Sequence, residues 1–295
     1  MTDQSPPALL ADELESLMSR RAALKTARWP LPATTRIFTV ANQKGGVGKT
    51  TSAVNLASAL SQHGASVLVI DLDPQGNAST ALGVNHQAHI PGSYEVVLGS
   101  QSIGQVIQKS SDNPRLSVVP ATVNLAGAEI ELVGVDHREY RLQRAVAEFL
   151  DSPQGQGYHY VFIDCPPSLG LLTLNAFVAA EEVLIPIQCE YYALEGLSQL
   201  LGTIDRIRLS LNQNLHVSTI LLTMYDQRTN LAQQVAQDVR AHFPEQVLTA
   251  VVPRSVRVSE APSFGQTVVT YDPGSSGAVS YAEAALEIAT RKGAL

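Results

Sequence analysis

The stretch Ala41–Thr51, ANQKGGVGKTT, sets Gly45, Gly46 and Gly48 between two lysines and ends on two hydroxyls. Glycine at that density lets a backbone turn tightly enough for successive N–H groups to converge on an anion. The run RIFTV before the turn reads as a buried strand, and the run from Lys49 reads as a helix whose N-terminus adds partial positive charge. In that setting Lys44, Gly45, Gly46, Val47, Gly48, Lys49, Thr50 and Thr51 form a cradle for nucleotide phosphates. Lys49 is placed to reach the β- and γ-phosphates, the Thr50 hydroxyl to coordinate Mg²⁺, and Thr51 to meet an α-phosphate oxygen. The generic pattern G-x-x-x-x-G-K-[ST] is not met in full, because Gln43 stands where its first glycine belongs. A lysine, Lys44, stands at the loop entrance instead. One lysine suffices to cradle phosphates, so the second needs its own reason, the more so in a chain with only five lysines and fifteen arginines.

Carboxylates follow two further apolar runs. VLVIDLDPQGNAST ends a strand with Asp71 and Asp73, and residues i and i+2 of a strand face the same way. Both could line one pocket edge, where one would orient an attacking water; a helix cap or a solvated turn is the alternative for such a pair standing alone. YHYVFIDCPPSLG repeats the design with Asp164, followed by two prolines that stiffen the chain.

KGGVGKTT resembles the deviant Walker A loop of the ParA/MinD superfamily of ATPases. That resemblance implies ATP and Mg²⁺ as ligands and a nucleotide-sandwich homodimer in the ATP state, with Lys44 reaching across to the partner's ATP. It assigns the water-orienting role to Asp73, inside a first switch running through Pro74, Gln75, Gly76 and Asn77. It makes Asp71 a residue behind that site or a ligand of a magnesium-bound water, and likens Asp164 to a Walker B carboxylate holding such a water. CPPSLG then resembles a second switch. PIQCEYYALEGLSQLL, LLTMYDQRTNL and VVPRSVRVSEAPSFGQTVVTYDPGSSGA closely resemble the chromosome-partition branch, ParA or Soj, and the likeness runs over about residues 36–292. In that branch the base is held near segments like TMYDQRTNL and VVPR, which makes Met224 and Pro253 the candidate adenine contacts.

The same branch implies non-specific binding of double-stranded DNA by the ATP dimer, and hydrolysis stimulated by a ParB-type centromere-binding partner. The formal net charge of −7 excludes a surface that coats nucleic acid everywhere, but not a local basic patch. Between Leu197 and Val258 six arginines face four acidic residues, a local net of +2. Arg206, Arg208, Arg228, Arg254 and Arg257 are the DNA-contact candidates, and a dimer doubles their number and with it the salt-dependent part of the affinity. A MinD-like membrane ATPase would carry a basic amphipathic C-terminal helix, whereas AEAALEIATRKGAL has two cations and no bulky aromatic face. A DNA-binding regulator keeping ATP only as a structural ligand would be favoured by loss of Lys44 or Asp73, and both are present. Cys165 and Cys189 make neither a disulfide framework nor a zinc site, and Cys165 adjoins Asp164 too closely to bridge a dimer through an iron–sulfur cluster.

The elements that must hold these groups alternate along the chain. RIFTVA, SVLVID, LSVVPA, YVFIDC, EVLIPI, VSTILLT and VLTAVVP read as buried strands separated by helical stretches. Such near-continuous apolar strands predict an α/β fold, a mostly parallel twisted sheet with helices on both faces, of the P-loop type. Residues 36–295 are expected to form the ATPase domain. Residues 1–35 are expected to be a partly helical extension whose Leu10, Leu14, Leu17 and Leu24 repeat at helical steps, acidic in its first half and basic in its second. No apolar run reaches 18 residues and the N-terminus lacks a signal pattern, so a cytoplasmic, nucleoid-associated location without a membrane is expected.

Overall fold

The computed structural model describes residues 6–291, with only the backbone of residues 6–10. The side chain of Leu10, the predicted end of the last helix at residues 292–293 and the C-terminal tail lie outside the described residues.

The chain runs α1 (Pro6–Thr26), β1 (Arg36–Val40), α2 (Lys49–Gln62), β2 (Val67–Asp71), α3 (Asn77–Ala81), α4 (Ser93–Leu98), α5 (Ile103–Val106) and β3 (Gln108–Lys109). It continues with β4 (Leu116–Val119), α6 (Leu125–Leu132), α7 (Arg141–Asp151), β5 (Tyr160–Asp164), α8 (Leu171–Ala179), β6 (Glu182–Gln188) and α9 (Ala193–Ser210). The last part is β7 (His216–Tyr225), α10 (Asn230–His242), β8 (Val247–Pro253), α11 (Val256–Glu260), α12 (Val268–Tyr271) and α13 (Ser276–Thr290). The strands form one sheet in the order β3-β4-β2-β5-β1-β6-β7-β8. All seven predicted strands are in it and pair in parallel, as α/β patterning requires. The two-residue strand β3, antiparallel to β4, was not legible because it carries no apolar run.

Strands β1, β2, β4 and β5 are buried on both faces, which is why they read as unbroken apolar runs rather than as alternation. Helices α2 and α13 cover one face over a core that includes Phe38 and Phe162, stacked with ring centroids 5.2 Å apart. Helices α4 to α8 cover the opposite face around Ile70, Ile163 and Leu172, and α9 and α10 enclose a third cluster at β6 and β7. Each fully buried aliphatic or aromatic side chain there contributes about 1.5–3 kcal/mol. At the amino ends of β1 and β6 a buried ion pair, Arg36 Nε to Glu182 Oε1 at 2.6 Å, also donates from Arg36 to the Ile288 carbonyl. It thereby ties two strands to the last turn of α13, where a cation suits the helix dipole.

Helix α1 packs on α13. Leu24 is buried and Leu17 packs against the core, but Leu14 of the predicted stripe is 58% exposed. Arg20 donates to Glu283 and Ser280, and the Trp29 indole stacks on His63 at 3.7 Å, so the second half of α1 carries the attachment.

Candidate functional site

The candidate groups gather at the carboxyl edge of the sheet, where parallel strands open into loops and helices begin. Register explains the gathering. Asp164, last residue of β5, pairs with Asp71 of β2 on one side and with Val40 of β1 on the other. The two carboxylates are therefore neighbours, and the phosphate loop starts beside them.

Gly46 (φ 74°) and Gly48 (φ 88°) take left-handed backbone in the loop. A Cβ on Gly48 would meet nothing closer than 3.8 Å, so conformation and not space demands glycine there. The loop is tethered from two sides. The Thr223 hydroxyl on β7 donates to the Val47 carbonyl at 2.8 Å, and Asn42 donates to the Pro186 carbonyl while accepting from the Lys44 N–H. Lys49 folds back across the loop, its ammonium 3.2 Å from the Lys44 carbonyl. Burial draws the Lys49 ammonium below its ordinary pKa, with Asp164 chief among the groups opposing that. Lys44 turns the other way. Its ammonium pairs with Glu190 in the loop between β6 and α9, where the two side chains are 50% and 45% exposed. The two lysines of one loop thus divide between an inward and an outward direction.

The three carboxylates differ sharply in surroundings. Asp71 is fully buried; one oxygen accepts from the Ser79 N–H and hydroxyl at 2.8 and 2.7 Å, and the other accepts from the Asp73 N–H. Burial pushes its pKa up to about 6 against those hydrogen bonds. Ser79 in turn accepts from the Ala121 N–H, so Asp71 fastens α3 to the end of β4. Of the two places expected for Asp71, behind the site or at a magnesium-bound water, its engagement of both oxygens by backbone and hydroxyl donors favours the first. Asp164 is the opposite case: fully buried, it meets no hydrogen-bond partner at either oxygen. Burial first and the Asp71 charge second hold its carboxyl well above the usual range; the neighbouring Thr50 hydroxyl, short of a hydrogen bond, and the Lys49 charge pull against them. An orphaned buried carboxylate beside a threonine hydroxyl offers hard oxygens that fit Mg²⁺. Asp73 lies nearly buried on the turn beyond β2, its oxygen accepting the Gln75 N–H. Thr51 follows Thr50 in the first turn of α2.

Met224 and Pro253 lie at the ends of β7 and β8, where Tyr225 pairs with Pro253, and Met224 is the residue after the Thr223 tether. Met224 has a positive φ of 49°, unusual for a residue with a side chain. The arginines do not form one patch. Arg228 and Arg254 line one cleft, whereas Arg206 lines a groove beside Leu169 and Phe177. Arg208 pairs with Asp205, Arg228 with Asp226, and Arg257 with Glu260 and Asp272, all on exposed surface. The residues that sequence reasoning passed over are Asn42, Ser79, Glu190 and Thr223. All act by contact with chain distant in sequence or across a turn, and only Ser79, in the short helix after Asp73, carried any local signal.

Among the described residues no helix is long and apolar enough to cross a membrane. A family model described as an AAA domain matches residues 35–217. The chromosome partitioning protein ParA of Caulobacter vibrioides is 50% identical over 258 residues, 87% of this chain and 95% of that protein. The sporulation initiation inhibitor protein Soj of Bacillus subtilis is 48% identical over 254 residues, 86% of this chain and 98% of that protein. Among solved structures, a cobyrinic acid a,c-diamide synthase from Mycobacterium smegmatis with bound ATP analog and magnesium is similar at a TM-score of 0.72 and 38% identity. That likeness covers 85% of this chain and 93% of the other.

Proposed function

Because this chain belongs to the ParA/Soj family of chromosome-partitioning ATPases, we propose that its ATPase cycle switches a sandwich dimer on and off DNA. Residues 36–295 are the ATPase unit in this reading and residues 1–35 an extension. ATP binds at Lys44–Thr51, with the backbone N–H groups of the loop and Lys49 on the phosphates and with Met224 and Pro253 at the base. Thr50 and Asp164 would hold Mg²⁺, and Asp71 keeps α3 and the Asp73 turn in place behind them. Bound there, Mg²⁺ would supply neutralisation of the nucleotide's phosphate charge. Asp73 orients the attacking water, and Lys49 and Lys44 stabilise the charge developing on the transferred phosphoryl group.

The observation that carries the dimer is the outward course of Lys44. Its ammonium leaves its own phosphate loop and rests on Glu190, half exposed, where a second protomer's ATP can capture it. A cation delivered only on association couples nucleotide state to dimerisation. The dimer doubles the phosphate contacts open to Arg206, Arg208, Arg228, Arg254 and Arg257, which favours salt-sensitive, sequence-independent binding to double-stranded DNA. A ParB-type partner accelerating hydrolysis resets the switch, and the protein associates with the nucleoid in the cytoplasm while ATP is bound.

The test is the anisotropy of a random-sequence duplex titrated with the Asp73→Ala protein in ATP and in ADP at two salt concentrations. Tight, salt-sensitive binding in ATP alone is expected. Equal binding in both nucleotides, or none, overturns the switch.

A further inference from the structure

Helix α1 precedes the residues that the family model matches, so nothing in the partition reading assigns it a task. Its two halves are attached very differently. Leu17, Arg20, Leu24 and the stacked Trp29 fix the second half to α13 and α2. Residues 11–16 are all exposed, so no buried contact holds them. Yet they do not project into open solvent. Asp12, Glu13 and Leu14 line one side of a cleft of about 1350 Å³ whose other side is Tyr225, Asp226, Arg228, Pro253 and Arg254. The acidic half of α1 therefore faces two of the arginines proposed above to meet DNA.

Charge explains why that half stays there. Arg228 is 85% exposed and bound to Asp226, Nη2 to Oδ2 at 2.8 Å. Asp226 raises the Arg228 pKa most, and Glu13 adds to it from across the cleft. Elsewhere in the cleft Arg20 is spent on Glu283 and Glu287 on Arg291, which leaves three carboxylates, Asp12, Glu13 and Asp226, against two guanidiniums at this edge. Without the two from α1, the balance turns positive. Attraction of this kind is weak, screened by salt, and easily exchanged for another anion. A segment with no buried contacts opens at little cost.

We propose that the acidic first half of α1 is an intramolecular competitor for the DNA backbone, lying across Arg228 and Arg254 until duplex phosphates displace it. This rests on the DNA-binding reading. The helix lowers affinity rather than abolishing it, and sets a threshold that a single weak phosphate contact does not cross.

The test uses the full chain with Asp73→Ala to hold the ATP state, and random-sequence duplex DNA as the probe. Neutralising Asp12 and Glu13 together, as Asp12→Asn with Glu13→Gln, frees two exposed attractions per protomer and four per dimer. At about twofold for each exposed pair, affinity in ATP should rise on the order of tenfold. ATP affinity is measured in parallel, because Pro253, proposed at the base, lines the same cleft, and the gain in DNA affinity should exceed any change in it. Glu15→Gln, on the same exposed stretch but outside the cleft lining, controls for net charge and should have a much smaller effect. In an Arg228→Ala/Arg254→Ala background the gain should vanish. Unchanged affinity on neutralising Asp12 and Glu13, in a parent that binds DNA, overturns the competitor and leaves the DNA reading intact. So does an equal gain from Glu15→Gln, or a gain that survives loss of both arginines. A parent that binds no DNA in ATP at either salt concentration overturns the DNA reading, and the competitor with it.

Discussion

Replacing Asp164 with asparagine separates the magnesium-holding role proposed for this carboxylate from what it costs the fold. Asp164 is fully buried, has no hydrogen-bond partner at either oxygen and pairs in register with Asp71. Its native pKa lies well above the ordinary carboxylate value, burial being the main cause and the Asp71 charge the next. The native state therefore holds this proton at pH values where the unfolded chain has released it, and stability falls as pH rises out of the ordinary carboxylate range. Asparagine is nearly isosteric and cannot ionise. The unpartnered amide remains a cost, so the gain is the excess cost of an ionisable carboxyl over a neutral amide there, about 2 kcal/mol for the nucleotide-free protein above neutral pH. In a chain of 295 residues that is a rise in Tm of roughly 3–4 °C. The gain should shrink as the pH is lowered towards the ordinary carboxylate range, because ionising the unfolded chain's carboxyl then favours unfolding less. Scanning calorimetry of both proteins from about pH 6 to about pH 8, with and without Mg²⁺ and ADP, measures all of this. The parent should gain about 2.7 kcal/mol from nucleotide at a hundredfold excess over Kd, and the variant should lose the magnesium-dependent part of that gain. A variant destabilised equally at every pH would refute the reasoning, because Asp164 would then be a structural partner and not an open ligand.

Two further outcomes follow from the loop. Lys44→Ala removes a side chain that turns away from its own phosphates, so ATP binding should persist within about twofold while dimerisation with ATP is lost; sedimentation that still shows an ATP dimer would rule out a lysine acting across the interface. Thr223→Val deletes a buried hydroxyl that donates to the Val47 carbonyl, which should cost about 1–2 kcal/mol of stability and weaken nucleotide binding by up to about tenfold; a Kd unchanged by isothermal titration would mean the loop keeps its shape without this tether.

Much of the site was legible because it is local. Three glycines, a lysine and two hydroxyls at the mouth of a helix specify an anion cradle whatever surrounds them. The unbroken apolar runs ending in Asp71 and Asp164 announced strands buried on both faces, with carboxylates where those strands stop. The seven parallel strands follow from the same short-range signals. The edge strand β3 did not show, being two residues of polar sequence.

What the chain order could not reveal is who meets whom. Thr223 lies 176 residues from the Val47 carbonyl it holds, and Glu190 lies 146 from the Lys44 ammonium it receives. Asp71 and Asp73 look alike two residues apart, yet Ser79 engages one of them and leaves the other on the turn. The exposed acidic residues of α1 read as a solvated helix face until the ends of β7 and β8 stand opposite them. Local sequence encodes the preferences of a few adjoining dihedrals and the period of burial. Strand order and register decide which distant side chains share a site, and that order is chosen by the packing of the whole sheet.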